Sequence, residues 1–181
     1  MTFFFLLLII MLGLFIWWLF QPSIVIHSHW FHPFDGLQFS SQEFYQSVQQ
    51  SLEQRKIPGL SFTRASYVTK LRTIVFDERR EYFCASREEY RFQICAAPFG
   101  TGFFVSYWFL EREPGYISII KKIPLVRFLL EFKTFYQIDT EDMYRSFVHT
   151  CVLEAIDAMT TGKGLRALTE HERAIPASKN Q

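Results

Sequence analysis

Residues 82–111 read YFCASREEYRFQICAAPFGTGFFVSYWFLE, and their periodicity decides the fold. Tyr90, Phe92, Ile94 and Ala96 alternate with more polar neighbours, and so do Phe103, Val105, Tyr107 and Phe109. A period of two over such lengths marks half-buried strands. Slipping a strand by one residue moves every side chain to the other face, so two hairpins can be tested against each other. A loop at Ser86-Arg87-Glu88 pairs Cys84 with Tyr90 and Tyr82 with Phe92. A loop over Phe99-Gly100-Thr101-Gly102 pairs Ala96 with Val105 and Ile94 with Tyr107. Both registers gather the apolar side chains on one face. The other face then carries Arg79, Glu81, Arg91, Gln93, Ser106, Phe104 and Trp108. Upstream, Phe62 and Tyr67 lie in one strand. Ile74 and Phe76 begin another that continues to Cys84. The reading is a four-stranded antiparallel meander with Cys84 and Cys95 on opposite faces, too badly placed for a disulfide.

Helical patterns flank the meander. Ser40 or Ser41 followed by Glu43 is an N-terminal capping pattern. Phe44, Val48 and Leu52 follow at helical spacing, which predicts an amphipathic helix over about 41–55, closed by Ile57-Pro58-Gly59. Near the other end, Asp139 or Thr140 is expected to cap a helix with Glu141 and Asp142 in its first turn, where the dipole favours negative charge. Its apolar face reads Met143, Phe147, Cys151, Val152, Ala155, Ile156 and Met159, and Gly162 ends it. These two helices are the natural covers of the sheet. Between sheet and last helix, residues 116–133 (YISIIKKIPLVRFLLEFK) form a basic apolar stretch. It reads equally as a core helix or as an interfacial helix on anionic lipid.

The chain opens differently. Residues 3–20 are an uninterrupted apolar run, about 27 Å of helix at ~1.5 Å per residue, and a bilayer core is about 30 Å thick. Trp17 and Trp18 sit at its end, and Gln21-Pro22 stops it. No basic n-region precedes it and no small-residue cleavage site follows, which argues against a removed signal peptide. The expectation is a transmembrane anchor over 1–21, then a juxtamembrane, interfacial segment over 22–39, an α+β domain over 40–164 and a polar tail over 165–181. Lys and Arg near the run are too few to orient it. The three cysteines form no closed disulfide framework, which favours a reducing compartment and a cytoplasmic C-terminal domain.

Composition narrows function by exclusion. In 181 residues, 19 Lys+Arg face 18 Asp+Glu, so no global field draws in nucleic acid. The chain contains no HExxH, GxSxG, GxGxxG or CxxC pair, which leaves an enzyme without its usual grounds. His27, His29 and His32 form a His-x-His-x-x-His run; in an extended chain His27 and His29 point the same way and could share a metal, with Asp35 nearby. Their plain alternative is imidazoles at a polar interface. Cys95 would need a lowered pKa and a neighbouring base to act as a nucleophile, and the histidines of the folded part are His149 and His171. The glycines after Cys95 lie between strands, which suits a hairpin and not a phosphate loop. Glu154 and Asp157, three apart on one helix, read as a solvated face. Arginines interleave with aromatics around Arg79–Arg91 as in RNA-binding sheets, but acidic neighbours match them.

The expected function is therefore a non-catalytic, membrane-anchored subunit or adaptor that binds a protein partner, or forms a homo-oligomer, with membrane lipid as a further contact and no nucleic acid or cofactor. Its expected contact residues are Trp30, Phe104, Trp108, Lys121, Lys122, Arg127 and Lys133. The alternatives are a lipid- or metal-responsive surface protein and an enzyme of unfamiliar type using Cys95 or His149.

Overall fold

In the computed structural model, residues 2–36, 39–68, 79–121, 133–161 and 167–176 are described. The elements run α1 (Thr2–Leu19), β1 (Ser23–Phe34), α2 (Ser41–Gln54), β2 (Ser61–Val68), β3 (Arg79–Arg87), β4 (Tyr90–Phe99), β5 (Gly102–Glu113), α3 (Gly115–Ile120) and α4 (Phe135–Thr160). The fold is α+β, and the sheet has five antiparallel strands in the order β1-β5-β4-β3-β2.

The fifth strand corrects the four-stranded expectation. Most of the segment read as juxtamembrane, 22–39, is β1, paired with β5 from Ser23↔Glu113 to Phe34↔Phe103. Aromatics fall on both of its faces, so no clean alternation advertised a strand. Pro33 is tolerated because β1 is an edge strand, where the missing N–H breaks no inner ladder.

The β4–β5 register is the expected one, Ile94↔Tyr107 and Ala96↔Val105. The β3–β4 register is three residues away from the expected one, an odd shift that puts Gln93, not Tyr90, opposite Cys84. Phe83 faces Ile94, Ala85 faces Phe92 and Arg87 faces Tyr90. Only Glu88 and Glu89 form the turn, and Glu88 takes a positive φ of 53°. Two-residue hairpins need such a conformation, usually supplied by Gly or Asn; without either, the sequence favoured a longer loop. The slip exchanges the faces of β3. Phe83 and Ala85 enter the core, while Cys84 joins Cys95 on the outer face, overturning the opposite-face expectation. All three cysteines remain free and buried.

α2 and α4 cover the inner face as expected. Ser40 caps α2 by accepting from the Glu43 N–H. Phe44, Tyr45, Val48 and Leu52 meet Phe83, Phe92, Ile94, Tyr107 and Phe109 in one cluster. Each fully buried large side chain of this kind contributes about 1.5–3 kcal/mol relative to exposure. α4 begins earlier than its acidic turn suggested. Thr134 and Gln137 form a reciprocal capping box, which places Glu141 inside the helix. The buried stripe is Tyr144, Val148, Val152, Ala155 and Ile156, with Met143 turned outward.

The N-terminal expectation is also corrected. Among the described residues, no helix is long and apolar enough to cross a membrane. α1 has 18 residues, a rise of about 27 Å against a hydrocarbon core of ~30 Å. The transmembrane anchor falls with this finding, and with it the single-pass placement and the cytoplasmic assignment that depended on it. Expected features at Ile74, Phe76, Lys122, Arg127 and the helix after Pro124 lie outside the described residues.

Candidate functional site

A charged cluster closes one end of the inner face. It begins with an irregularity: the β1–β5 register shifts between Ile26 and Ser28, leaving His27 as the extra residue of a bulge. Bulges re-aim side chains and are common beside functional sites. The His27 ring packs against Phe109, with centroids 5.4 Å apart. Its Nε2–H donates to Glu111 Oε2 at 2.7 Å, and its Nδ1 lies 3.4 Å from Glu141 Oε1. Lys133 Nζ donates to Glu111 Oε2 and Glu141 Oε2, each at 2.8 Å. The ammonium also stands 5.5 Å from the Tyr90 ring centroid.

Three elements, the β1 bulge, β5 and α4, meet there with the residue just before the α4 cap. The early start of α4 is what brings Glu141 into the cluster. Burial pushes the Glu111 carboxyl up, but the bonds from His27 and Lys133 outweigh it and hold Glu111 down at about 2. Burial likewise pushes Lys133 down, and its two carboxylate partners outweigh that and hold it above its ordinary value. Glu111 and Lys133 thus stay ionised across the ordinary pH range. His27, Glu111 and Glu141 each present one ligand atom, all within 4.8 Å of one another.

Only the first histidine of the His-x-His-x-x-His run belongs to this cluster. His29 pairs with Trp108 on the outer face and stacks on its ring at 3.7 Å. His32 pairs with Val105 on the inner face, beside Phe34. The bulge removes the shared direction that an unbroken strand would have given His27 and His29. Glu111 and Glu141 were legible as acidic residues, but nothing local linked them to His27.

The expected contact residues divide. Trp30 is buried, and its Nε1 donates to the Glu172 carbonyl at 2.9 Å. Lys121 is bonded to Glu113, and Lys133 is engaged as above. Phe104 and Trp108 do lie on the outer face, half-buried; the Arg80 guanidinium carbon stands 5.2 Å from the Phe104 ring centroid.

The groups reserved for catalysis are built into the structure. Burial pushes the Cys95 thiol up, with Arg80, Tyr82 and Tyr45 opposing it more weakly. Burial pushes His149 down, only partly offset by its bond to Arg173. Its Nε2–H donates to the Arg173 carbonyl at 2.7 Å and its Nδ1 accepts from Tyr107 at 2.8 Å. Glu154 pairs with Arg55 and Ser51, and Asp157 with Arg173. Both carboxylates lie on a partly solvated face, their side chains 50% and 42% exposed, and each also fastens α4, one to α2 and the other to the C-terminal segment.

No family model, no curated protein and no solved structure matches this chain.

Proposed function

We propose that this chain is a non-catalytic binding subunit that offers the outer face of its sheet to a protein partner. The observation that carries the reading is the sorting of charge by face. The β3 register places Arg80, not Glu81, on the outer face, together with Arg91 and Arg112. Glu111 and Glu113 lie on the inner face, and among the described strand residues no Asp or Glu lies on the outer one. Beside the arginines stand Phe31, Trp108 and Tyr67, and Phe31 is 62% exposed. Aromatic and Arg side chains together are the usual anchors of a protein interface.

A face carrying three arginines disfavours pairing with its own copy and favours an acidic partner. The ring geometry disfavours nucleic acid. His29 stacks on Trp108 with an interplanar angle of 18°, and on Phe31 with 13°. The facing surfaces of His29 and Trp108 are therefore already stacked on each other and closed to a base.

α1 supports the same reading. Its described large side chains are 46–74% exposed, an apolar surface well beyond what a free monomer ordinarily presents. An apolar groove of the partner would cover it.

Native mass measurement of the full chain extracted from its own cells tests the proposal. The expected result is a stoichiometric complex that dissociates when Arg91→Glu and Trp108→Ala are combined. A complex unchanged by those substitutions, or a bare monomer, refutes it; bound lipid without protein assigns α1 to lipid and also refutes the partner.

A further inference from the structure

The geometry points to a transition-metal site at His27, Glu111 and Glu141, held closed by Lys133 acting as an internal cation. The donor set is one imidazole and two carboxylates from three separate elements. That combination suits Zn²⁺ and its neighbours better than Mg²⁺ or Ca²⁺, which prefer all-oxygen shells. Oxygen and nitrogen ligands at ~2.1 Å around a tetrahedral ion lie about 3.4 Å from one another. Here the three ligand atoms lie within 4.8 Å of one another, with Nδ1 of His27 already 3.4 Å from Glu141. Closing the remainder requires side-chain torsion, not movement of the sheet.

The charges are also suited to exchange. Glu111 and Glu141 side chains are 13% and 12% exposed, so their two negative charges demand a nearby cation. Lys133 supplies one positive charge, bridging both carboxylates from the more exposed side of the cluster. A divalent ion would supply two and leave the ammonium to water. Ser28 gives an independent sign. It is the next residue after His27, shares the face of the carboxylates and is 1% exposed, yet its hydroxyl has no hydrogen-bond partner among the described residues. A buried hydroxyl in that position is unusual, and a solvent ligand on the ion would satisfy it.

The exchange has a mechanical consequence. Lys133 immediately precedes Thr134, the α4 cap. Metal entry would free Lys133 from both carboxylates, while the ion itself would hold Glu141 of α4 to Glu111 of β5. The site is independent of the outer face, so its existence does not depend on the partner reading.

Two measurements on the full chain test it. In calorimetric titration with Zn²⁺, wild type is expected to bind one ion, and Lys133→Met to bind it at least about tenfold more tightly, the equivalent of ~1.4 kcal/mol. His27→Ala is expected to abolish binding in both backgrounds. On wild-type protein alone, which avoids any folding defect, acetylation of Lys133 followed by mass spectrometry is expected to accelerate several-fold when Zn²⁺ is added. Zn²⁺ binding that survives His27→Ala, no binding to wild type and a folded Lys133→Met at 1 mM Zn²⁺, or Lys133 acetylation indifferent to Zn²⁺, each overturns the inference.

Discussion

The hydroxyl of Tyr107 donates to Nδ1 of His149 across 2.8 Å, inside the core, while the opposite nitrogen of the same ring donates to Arg173. One neutral imidazole therefore joins β5, α4 and the C-terminal segment. The fold favours its neutral form, so the folded protein takes up this proton at a lower pH than the unfolded chain. Stability from His149 is full above its ordinary value of 6.5 and falls as pH drops through the depressed folded value. Chemical denaturation of wild type is expected to weaken from pH 7 towards pH 5. His149→Gln, which keeps one donor and one acceptor, is expected to lose that part of the slope. Equal slopes in the two proteins would remove His149 from the account.

The Glu111 carboxyl gives a second pH window. Its folded value is about 2 and its ordinary value 4.5. Its contribution is present above 4.5 and is lost as pH falls towards 2, because only the unfolded chain is protonated in between. Glu111→Gln is expected to cost about 1–3 kcal/mol at pH 7, the range for a lost charged hydrogen bond. It is also expected to flatten the stability profile between pH 4.5 and 2. Denaturation midpoints across that range supply the check.

Tyr45 reaches across from α2 to a break in the sheet. Its hydroxyl donates to the Glu81 carbonyl at 2.7 Å and accepts from the Ala96 N–H at 2.9 Å, just beyond the last β3–β4 pair, Phe83↔Ile94. Tyr45→Phe leaves a buried backbone donor unpaired and is expected to lower stability by about 1–3 kcal/mol. Amide exchange at Ala96 is expected to accelerate beyond what that loss explains. Unchanged exchange there would show that the hydroxyl is dispensable.

Gly102 stands where β5 meets the end of β1. A Cβ added to it would lie 2.7 Å from the Phe34 backbone oxygen, and backbone cannot yield as a flexible side chain can. Gly102→Ala is expected to destabilise by roughly 1–3 kcal/mol, the range for overpacking. Faster amide exchange is expected along the Phe34 end of β1. A neutral substitution would mean the two strands separate more readily than their pairing indicates.

All three thiols are buried and burial pushes each of them up. Thiol alkylation near neutral pH is expected to leave Cys84, Cys95 and Cys151 unmodified in the native chain and to modify all three after denaturation. Native labelling of Cys95 at the rate of a free thiol would revive nucleophilic chemistry at that position.

Much of the scaffold was legible locally. The Ser40–Glu43 cap and the Phe44, Val48, Leu52 spacing located α2 because both signals lie within a few residues. The β4–β5 hairpin was legible because one register alone aligned its apolar side chains. β3 was ambiguous, since Tyr82 and Cys84 offered as good an apolar pair as Phe83 and Ala85, and a turn of two glutamates carried no glycine signal. β1 was missed because its partner is β5, some eighty residues away. The candidate site was half legible: His27 stood out, but its bulge and its two carboxylates did not.

An alternating β segment covered by two amphipathic helices could be read from neighbouring residues, because strand and helix periods are local properties. Which face each charge occupies and which groups meet His27 followed from long-range pairing. Those outcomes depend on a strand register and a bulge, where one residue more or less reverses every side chain and distant elements arbitrate between near-equal local choices.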